Sequence, residues 1–197
     1  GLCLEPKLNG LLPVTRPVPL LWVGLFHAPR PLDDAGTRAW LEANGGERAK
    51  ISDLHLSWTR ERYGDAFNRV QDYIAAGDVY QINLTLKYRF AFSGDPVALY
   101  AALRRKQRVE YGALVGAGEF NVLSLSPELF FRREGKHVTS RPMKGTAPRG
   151  RTPRDDARLK TWLTVDEKQR AENLMIVDLL RNDLGRIAKI GSVEVTD

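Results

Sequence analysis

Residues 141–146, Arg-Pro-Met-Lys-Gly-Thr, bring an amine, a hydroxyl and an open stretch of backbone together. Pro142 keeps the residue before it extended and ends strand pairing, so Lys144 is expected just past the end of a strand. Gly145 has no Cβ and lets a ligand approach the backbone amides, and Thr146 adds a hydroxyl that can bond an anionic oxygen. The stretch therefore predicts a carboxylate cradle with a nucleophilic lysine beside it.

A second interpretation of Lys144 stays open at this point. A lysine before a glycine, where a strand turns into a loop, is usually a solvated surface residue. The six residues do not decide between the two interpretations.

The composition is that of an ordinary globular protein. Apolar residues make up 43% and charged residues 27% of the 197 residues, and no apolar run reaches the ~18–20 residues that a membrane helix needs. The single cysteine, Cys3, excludes an internal disulfide, and no Cys/His spacing fits zinc. The first residues show no secretory signal. A reducing, cytoplasmic location without membrane attachment is expected.

The net charge of +6 raises the question of a nucleic-acid partner. The densest basic segments are residues 104–108, at a predicted helix end, and residues 149–158, in and after a loop. Cations at a helix C-terminus are favoured by the helix dipole, and neither segment contains interleaved aromatic residues. No nucleic-acid partner is expected, although a non-catalytic basic binding module remains an alternative function.

The pattern of apolar residues predicts an α+β fold, in which layers of antiparallel strands pack against amphipathic helices. Helices are predicted over residues 35–44 (weakly), from Thr59 to Gly77, after Asp95-Pro96, and over residues 154–163 and 166–187. Strands are predicted at residues 20–26, 54–56, 80–92, 111–116, 121–126, 129–134, 137–141 and from 193. The four runs between residues 111 and 141 are expected to form a meander, and residues 147–153 a lid.

The last predicted helix carries acidic residues on its apolar stripe. Glu172, Ile176, Leu179 and Asp183 recur at helical spacing. Burying a carboxylate on the core-facing side of a helix costs folding free energy unless a cation or a hydrogen-bond donor contacts it. The pattern therefore predicts that a cation or a hydrogen-bond donor, such as a salt-bridge partner, meets Glu172 and Asp183.

Four motifs in order resemble those of the chorismate-utilising enzymes. They are Gly-Asp-Val-Tyr-Gln-Ile-Asn-Leu at 77–84, Ser-Leu-Ser-Pro-Glu at 124–128, residues 141–146, and Ala-Glu-Asn-Leu-Met-Ile-Val-Asp-Leu at 171–179 with Arg-Asn-Asp-Leu-Gly-Arg at 181–186. The resemblance implies part of the chorismate-binding, anthranilate synthase-like fold. It suggests that residues 1–57 are a remnant of the amino-terminal part with a connecting segment, and that residues 58–197 are the amino-terminal half of the chorismate-binding catalytic domain.

Within this family, anthranilate synthases have an alanine at the position of Lys144. The members with lysine convert chorismate to 4-amino-4-deoxychorismate, on the route to 4-aminobenzoate and folate, and the resemblance implies this transferase- or lyase-type amination. Anthranilate or isochorismate synthase activity is the alternative within the family.

The resemblance also implies a role for each site residue. Lys144 would be the nucleophile that adds to the ring, and Glu128 the acid that protonates the departing hydroxyl, a role that burial would favour. Gly145 and Thr146 would contact substrate, and Glu172 would bind Mg²⁺, a cation that prefers oxygen ligands. Ammonia would come from a partner glutamine amidotransferase.

The family's catalytic domain continues beyond the position of Asp197, and there it supplies further substrate-binding residues and a second metal glutamate. Most of its amino-terminal part is also missing, so tryptophan binding is not predicted. Uncovered strand edges and apolar helix faces are expected. The 197 residues alone are not expected to turn over chorismate.

Overall fold

The computed structural model describes residues 18–196. Its helices are α1 (Asp34–Asn44), α2 (Arg60–Ala75), α3 (Pro96–Lys106), α4 (Pro153–Val165) and α5 (Glu167–Gly185). Its strands are β1 (Lys50–Leu56), β2 (Tyr88–Ser93), β3 (Tyr111–Gly116), β4 (Asn121–Ser126), β5 (Leu129–Glu134) and β6 (His137–Arg141). The α+β class predicted from the sequence is confirmed.

The described strands form three sheets of two strands each, in the pairs β1–β2, β3–β4 and β5–β6. The first and last pairs are antiparallel. The strands between residues 111 and 141 lie where the sequence predicts them, but β4 does not pair with β5. The expected continuous meander is therefore two separate hairpins.

The helices begin at the side chains that the sequence predicts as caps. Thr59 accepts a hydrogen bond from Arg62 N at the start of α2, and Asp95 accepts one from Val97 N before the first-turn proline of α3. Each cap satisfies a backbone N–H that has no partner within its helix. Local chemistry therefore places these helix ends.

The described chain divides into two compact units. The first holds α1–α3 and the β1–β2 sheet, and α1 contacts α3 within it. Leu41 on α1 and Tyr100 on α3 are the two buried apolar residues among those described. An ion pair of 2.6 Å between Arg104 Nη2 and Asp34 Oδ1 also links these two helices.

The second unit holds the β5–β6 hairpin, α4 and α5. The two helices contact each other, and the hairpin leads directly into the segment that precedes α4. All five residues assigned to the site from the sequence lie in this unit. The domain boundary predicted after residue 57 stays a prediction.

The strand predicted at residues 20–26 is wrong. This segment has no regular secondary structure, and Leu21 and Leu25 are 79% and 97% exposed. No strand of the described chain pairs with it. A strand needs a neighbouring strand for the hydrogen bonds of its backbone N–H and C=O groups. The apolar pattern alone does not show whether such a neighbour exists.

The long strand predicted at residues 80–92 is shorter than expected. Strand β2 starts at Tyr88, which pairs with Leu56, the last residue of β1. Two hydrogen bonds between Ser57 and Lys87 extend the pairing by one step: Ser57 N donates to Lys87 O at 2.7 Å, and Lys87 N donates to Ser57 Oγ at 3.2 Å. The alternating residues before Lys87 have no partner strand, and the apolar side chains of β2 itself are exposed.

The strand predicted to start at Val193 is also absent from the described chain, where residues 193–196 have no regular structure. No neighbouring strand pairs with them among residues 18–196. No helix in this range is long and apolar enough to cross a membrane.

Candidate active site

Lys144 lies three residues after the end of β6, in the segment that joins this strand to α4. Arg141, the last residue of β6, pairs with Leu129, the first of β5. Ser140 Oγ donates a hydrogen bond of 2.6 Å to Phe130 O, which adds a side-chain link between the strands. The hairpin therefore holds the start of the lysine segment, as the sequence predicts.

Glu128 contacts the same segment from the turn that precedes β5. Its Oε1 accepts a hydrogen bond of 3.1 Å from Met143 N, the residue before Lys144. Ser126 orients this glutamate, because Ser126 Oγ accepts from Glu128 N at 3.2 Å and donates to Glu128 O at 3.0 Å. The serine of the Ser-Pro-Glu motif thus shapes the turn that directs the carboxylate toward the lysine segment.

The Glu128 side chain is exposed, which differs from the buried setting that sequence reasoning favours for a general acid. The physical reason is that, within residues 18–196, Glu128 makes hydrogen bonds with Ser126 and Met143 N, and these contacts do not cover the carboxylate. Its contact with Met143 N, and not burial, is what defines its position.

Gly145 adopts a φ of +82°, a conformation that other residues rarely take. The position of an added Cβ would be 3.1 Å from Gln169 Oε1 and 3.4 Å from Gln169 Cβ. The glycine therefore allows both a left-handed turn and close packing against α5. Gln169 is held in turn, because its backbone N–H donates to Asp166, the N-cap of this helix.

A cavity of about 730 Å³ opens beside Lys144. Its lining residues are Lys144, Gly145, Leu163, Thr164, Gln169, Arg170 and Asn173. The lining contains two cationic side chains and two amides but no carboxylate. This chemistry suits a ligand that bears carboxylate groups, because both cations and amide N–H groups bind anionic oxygens.

The structure brings only some of the predicted site residues together. Lys144 and Gly145 line the cavity, and Glu128 contacts the backbone next to them. Thr146 is exposed and Glu172 is half-buried on α5, and neither lines the cavity. The roles assigned to all five residues stay predictions.

Glu172 has a free carboxylate within the described chain, since it makes no hydrogen bond or ion pair with residues 18–196. Residues 18–196 contain no group of three or more acidic, histidine or cysteine side chains that could hold a metal. Mg²⁺ commonly binds one or two protein carboxylates and takes its other ligands from water and substrate. A single oxygen donor at Glu172 fits that mode.

Gln169, Arg170 and Asn173 are cavity residues that sequence reasoning missed. Gln169 and Asn173 are four residues apart and therefore share a face of α5. The spacing of Gln169 and Asn173 is a signal present in the sequence, but the apolar stripe that contains Glu172 lies on a neighbouring face of the helix. Only the packing of Gly145 against Gln169 identifies this face as the one beside the lysine.

Comparison with known proteins agrees with the four motifs. The family model described as chorismate binding enzyme matches residues 32–197. The chain belongs to this family. The resemblance predicted from the sequence is confirmed.

Relatives within the chorismate binding enzyme family include two kinds of synthase. The chain is 40% identical over 164 residues to aminodeoxychorismate synthase component 1 of Escherichia coli (strain K12), covering 81% of this chain and 36% of the relative. It is 45% identical over 139 residues to anthranilate synthase component 1 1 of Haloarcula marismortui, covering 71% and 28%. Overall similarity therefore does not choose between the two.

Among solved structures, anthranilate synthase component I from Streptococcus pneumoniae TIGR4 matches with a TM-score of 0.66 and 29% sequence identity. The match covers 75% of this chain and 32% of the pneumococcal chain. The chain thus spans about a third of the length of these family members.

Proposed function

We propose that the protein acts as aminodeoxychorismate synthase component I, which replaces the C4 hydroxyl of chorismate with an amine. The observation that carries the proposal is Lys144, a lysine at the wall of a cavity whose lining suits carboxylates. An amine at this position supplies a nucleophile, whereas the alanine expected of an anthranilate synthase could not. The resemblance of residues 141–146 to the lysine-containing motif supports the same choice.

In the proposed reaction, the neutral Lys144 amine adds to C2 of the chorismate ring. The ring double bond shifts, and the C4 hydroxyl leaves as water after it takes a proton from Glu128. Ammonia then adds at C4, the double bond shifts back, and the lysine leaves from C2 as the neutral amine. The ammonium formed at C4 returns its extra proton to Glu128, which restores the acid. The sum is the exchange of one hydroxyl for one amine, with water as the second product.

The contact between Glu128 and Met143 N supports a shared role for the acid and the nucleophile. It holds the carboxylate beside the backbone that carries Lys144, so one local structure positions both groups. Positioning of this kind contributes to catalysis by reducing the entropy lost on reaching the reactive geometry. Gly145 and Thr146 would then present backbone and hydroxyl groups to the substrate.

Glu172 would provide a protein ligand for Mg²⁺. When bound, the ion would hold a carboxylate of the substrate and stabilise negative charge that develops on it. Ammonia is proposed to come from a glutamine amidotransferase that acts with the full-length protein.

The test uses the full-length protein with chorismate, ammonium and Mg²⁺, and identifies the product by mass spectrometry. We expect 4-amino-4-deoxychorismate, and we expect a trapped adduct on Lys144 with the mass of chorismate less one water. Lys144→Ala should abolish the adduct, whereas Lys160→Ala, which changes a lysine outside the cavity, should retain it. Formation of anthranilate or isochorismate without an adduct would refute the proposal and favour the alternative activity.

A further inference from the structure

The segment that carries Lys144 is held at its far end by Asp156, an α4 residue outside the cavity beside the lysine. Both carboxylate oxygens of Asp156 bind Arg149, with Nε to Oδ1 and Nη2 to Oδ2 each at 2.7 Å. Gly150 N also donates to Asp156 Oδ1 at 2.9 Å. One side chain therefore accepts three hydrogen bonds from two consecutive residues of the loop.

This arrangement is stronger than an ordinary surface ion pair. Single exposed pairs contribute little to stability, but a two-point contact between guanidinium and carboxylate fixes the relative orientation of both groups. The Asp156 side chain is only 33% exposed, although Arg149 is 88% exposed. Hydrogen bonds from Arg149, and secondly from Gly150 N, hold the pKa of Asp156 below its ordinary value.

Gly150 shows how closely the loop packs onto the start of α4. An added Cβ would overlap Asp156 N and would be 2.6 Å from Asp155 C and 2.7 Å from Asp156 Cα. These are backbone atoms of a helix and cannot easily move aside. The absence of a side chain at this position allows the loop to reach Asp156.

The neighbouring acid, Asp155, takes part in the N-terminal cap of α4. Asp155 N donates to Thr152 Oγ1 at 3.1 Å, and Thr152 Oγ1 donates back to Asp155 Oδ2 at 2.9 Å. This pair caps α4 and complements its dipole. Capping therefore does not require the Asp156 carboxylate, whose hydrogen bonds go to the loop instead.

We propose that Asp156 is a positioning residue for Lys144, acting through Arg149 and Gly150. The lysine segment is then hydrogen-bonded at both ends, to Glu128 at Met143 and to Asp156 at Gly150, and it packs closely against Gln169 at Gly145. Loss of the hydrogen bonds to Asp156 lets the turn at Lys144 move relative to the cavity. The link to catalysis rests on the function proposed above.

The test compares Asp156→Ala with Asp155→Ala in the full-length protein. Each variant removes one carboxylate from the first turn of α4, so the effect on the helix dipole is matched. Hydrogen–deuterium exchange is measured at the amides of residues 143–146, which do not bond Asp156. We expect Asp156→Ala to speed exchange there about tenfold or more, and Asp155→Ala to leave it at the wild-type rate.

The kinetic measurement is the rate of adduct formation at Lys144. A misplacement of about 1 Å can cost ~100-fold in rate, so we expect Asp156→Ala to lower this rate about tenfold or more. The apparent KM for chorismate should change less than twofold, because the walls formed by α4 and α5 remain. Equal effects of the two variants on residues 143–146, or no effect of Asp156→Ala, would overturn the proposal.

Arg149→Lys provides the second variant if Asp156→Ala does not fold. Lysine keeps the charge but loses the two-point contact, so we expect the amides of residues 143–146 to exchange faster in Arg149→Lys than in the wild type. The increase in exchange rate should be larger in Arg149→Met, which also loses the charge. Wild-type exchange in both Arg149 variants would refute the inference. If the wild-type protein makes no adduct at all, the proposed function fails, whereas the exchange comparison still decides whether Asp156 positions the segment.

Discussion

Gly145 shows that the residue after the proposed nucleophile is as constrained as the nucleophile itself. Its positive φ and its contact with Gln169 are independent reasons for the absence of a side chain. A ligand could also approach its backbone closely. The turn at Lys144 therefore depends on a residue that takes no part in bond making.

Gly145→Ala is expected to destabilise the protein by about 1–2 kcal/mol, because alanine is strained at positive φ and its Cβ crowds Gln169. Gly64→Ala is the control, since Gly64 lies within α2 with nothing within 4 Å of an added Cβ. That change should stabilise the helix by up to about 1 kcal/mol. Urea denaturation of both variants measures the difference, and a neutral Gly145→Ala would contradict this account of the turn.

Asp95 shows how a single cap can join two elements. Its Oδ1 accepts from Val97 N at 2.6 Å at the start of α3, and its Oδ2 accepts from Gly46 N at 3.1 Å, just after α1. Thr59 caps α2 with one hydrogen bond, to Arg62 N at 3.2 Å. Asp95 therefore caps α3 and also links this helix to the residues that follow α1.

Asp95→Ala should cost more stability than Thr59→Ala. Loss of an N-cap costs about 1 kcal/mol, and Asp95→Ala also leaves Gly46 N without its charged acceptor, for a total of about 2–3 kcal/mol. Thermal unfolding followed by circular dichroism would measure both. Equal losses would show that the bond to Gly46 contributes nothing to stability.

Apolar surface is widely exposed across the described chain. Phe130 on β5 and Leu174 on α5 are exposed, as are both strands of the β1–β2 sheet. The chain also spans only about a third of the length of its family members. Both observations agree with the uncovered apolar faces expected from the sequence.

The 197-residue chain alone is expected to bind a hydrophobic dye such as ANS strongly and to form no product from chorismate and ammonium. The reasons are its exposed apolar side chains and the small number of buried ones among residues 18–196. ANS fluorescence and a product assay, with the full-length protein as control, are the measurements. Sustained amination by the 197-residue chain would refute this prediction.

Helix ends and the hairpins after residue 110 were predictable from the sequence. Thr59 and Asp95 act on backbone groups only two or three residues away, so the sequence contains both partners. The turn at Lys144 was likewise predictable, because Pro142 keeps the residue before it extended and Gly145 permits a backbone conformation that other residues rarely adopt. These interactions are local, and local chemistry suffices to predict them.

The tertiary structure decided which strand-like segments form strands, since a strand requires a neighbouring strand to pair with. Residues 20–26 and 80–87 have strand-like patterns but lack a neighbour in the described chain. The contacts of Met143 with Glu128, Gly145 with Gln169 and Arg149 with Asp156 likewise join residues from different segments. The sequence by itself determined which groups are available for chemistry, whereas the packing of separate segments decided which of them meet, because such contacts depend on distances that no local pattern records.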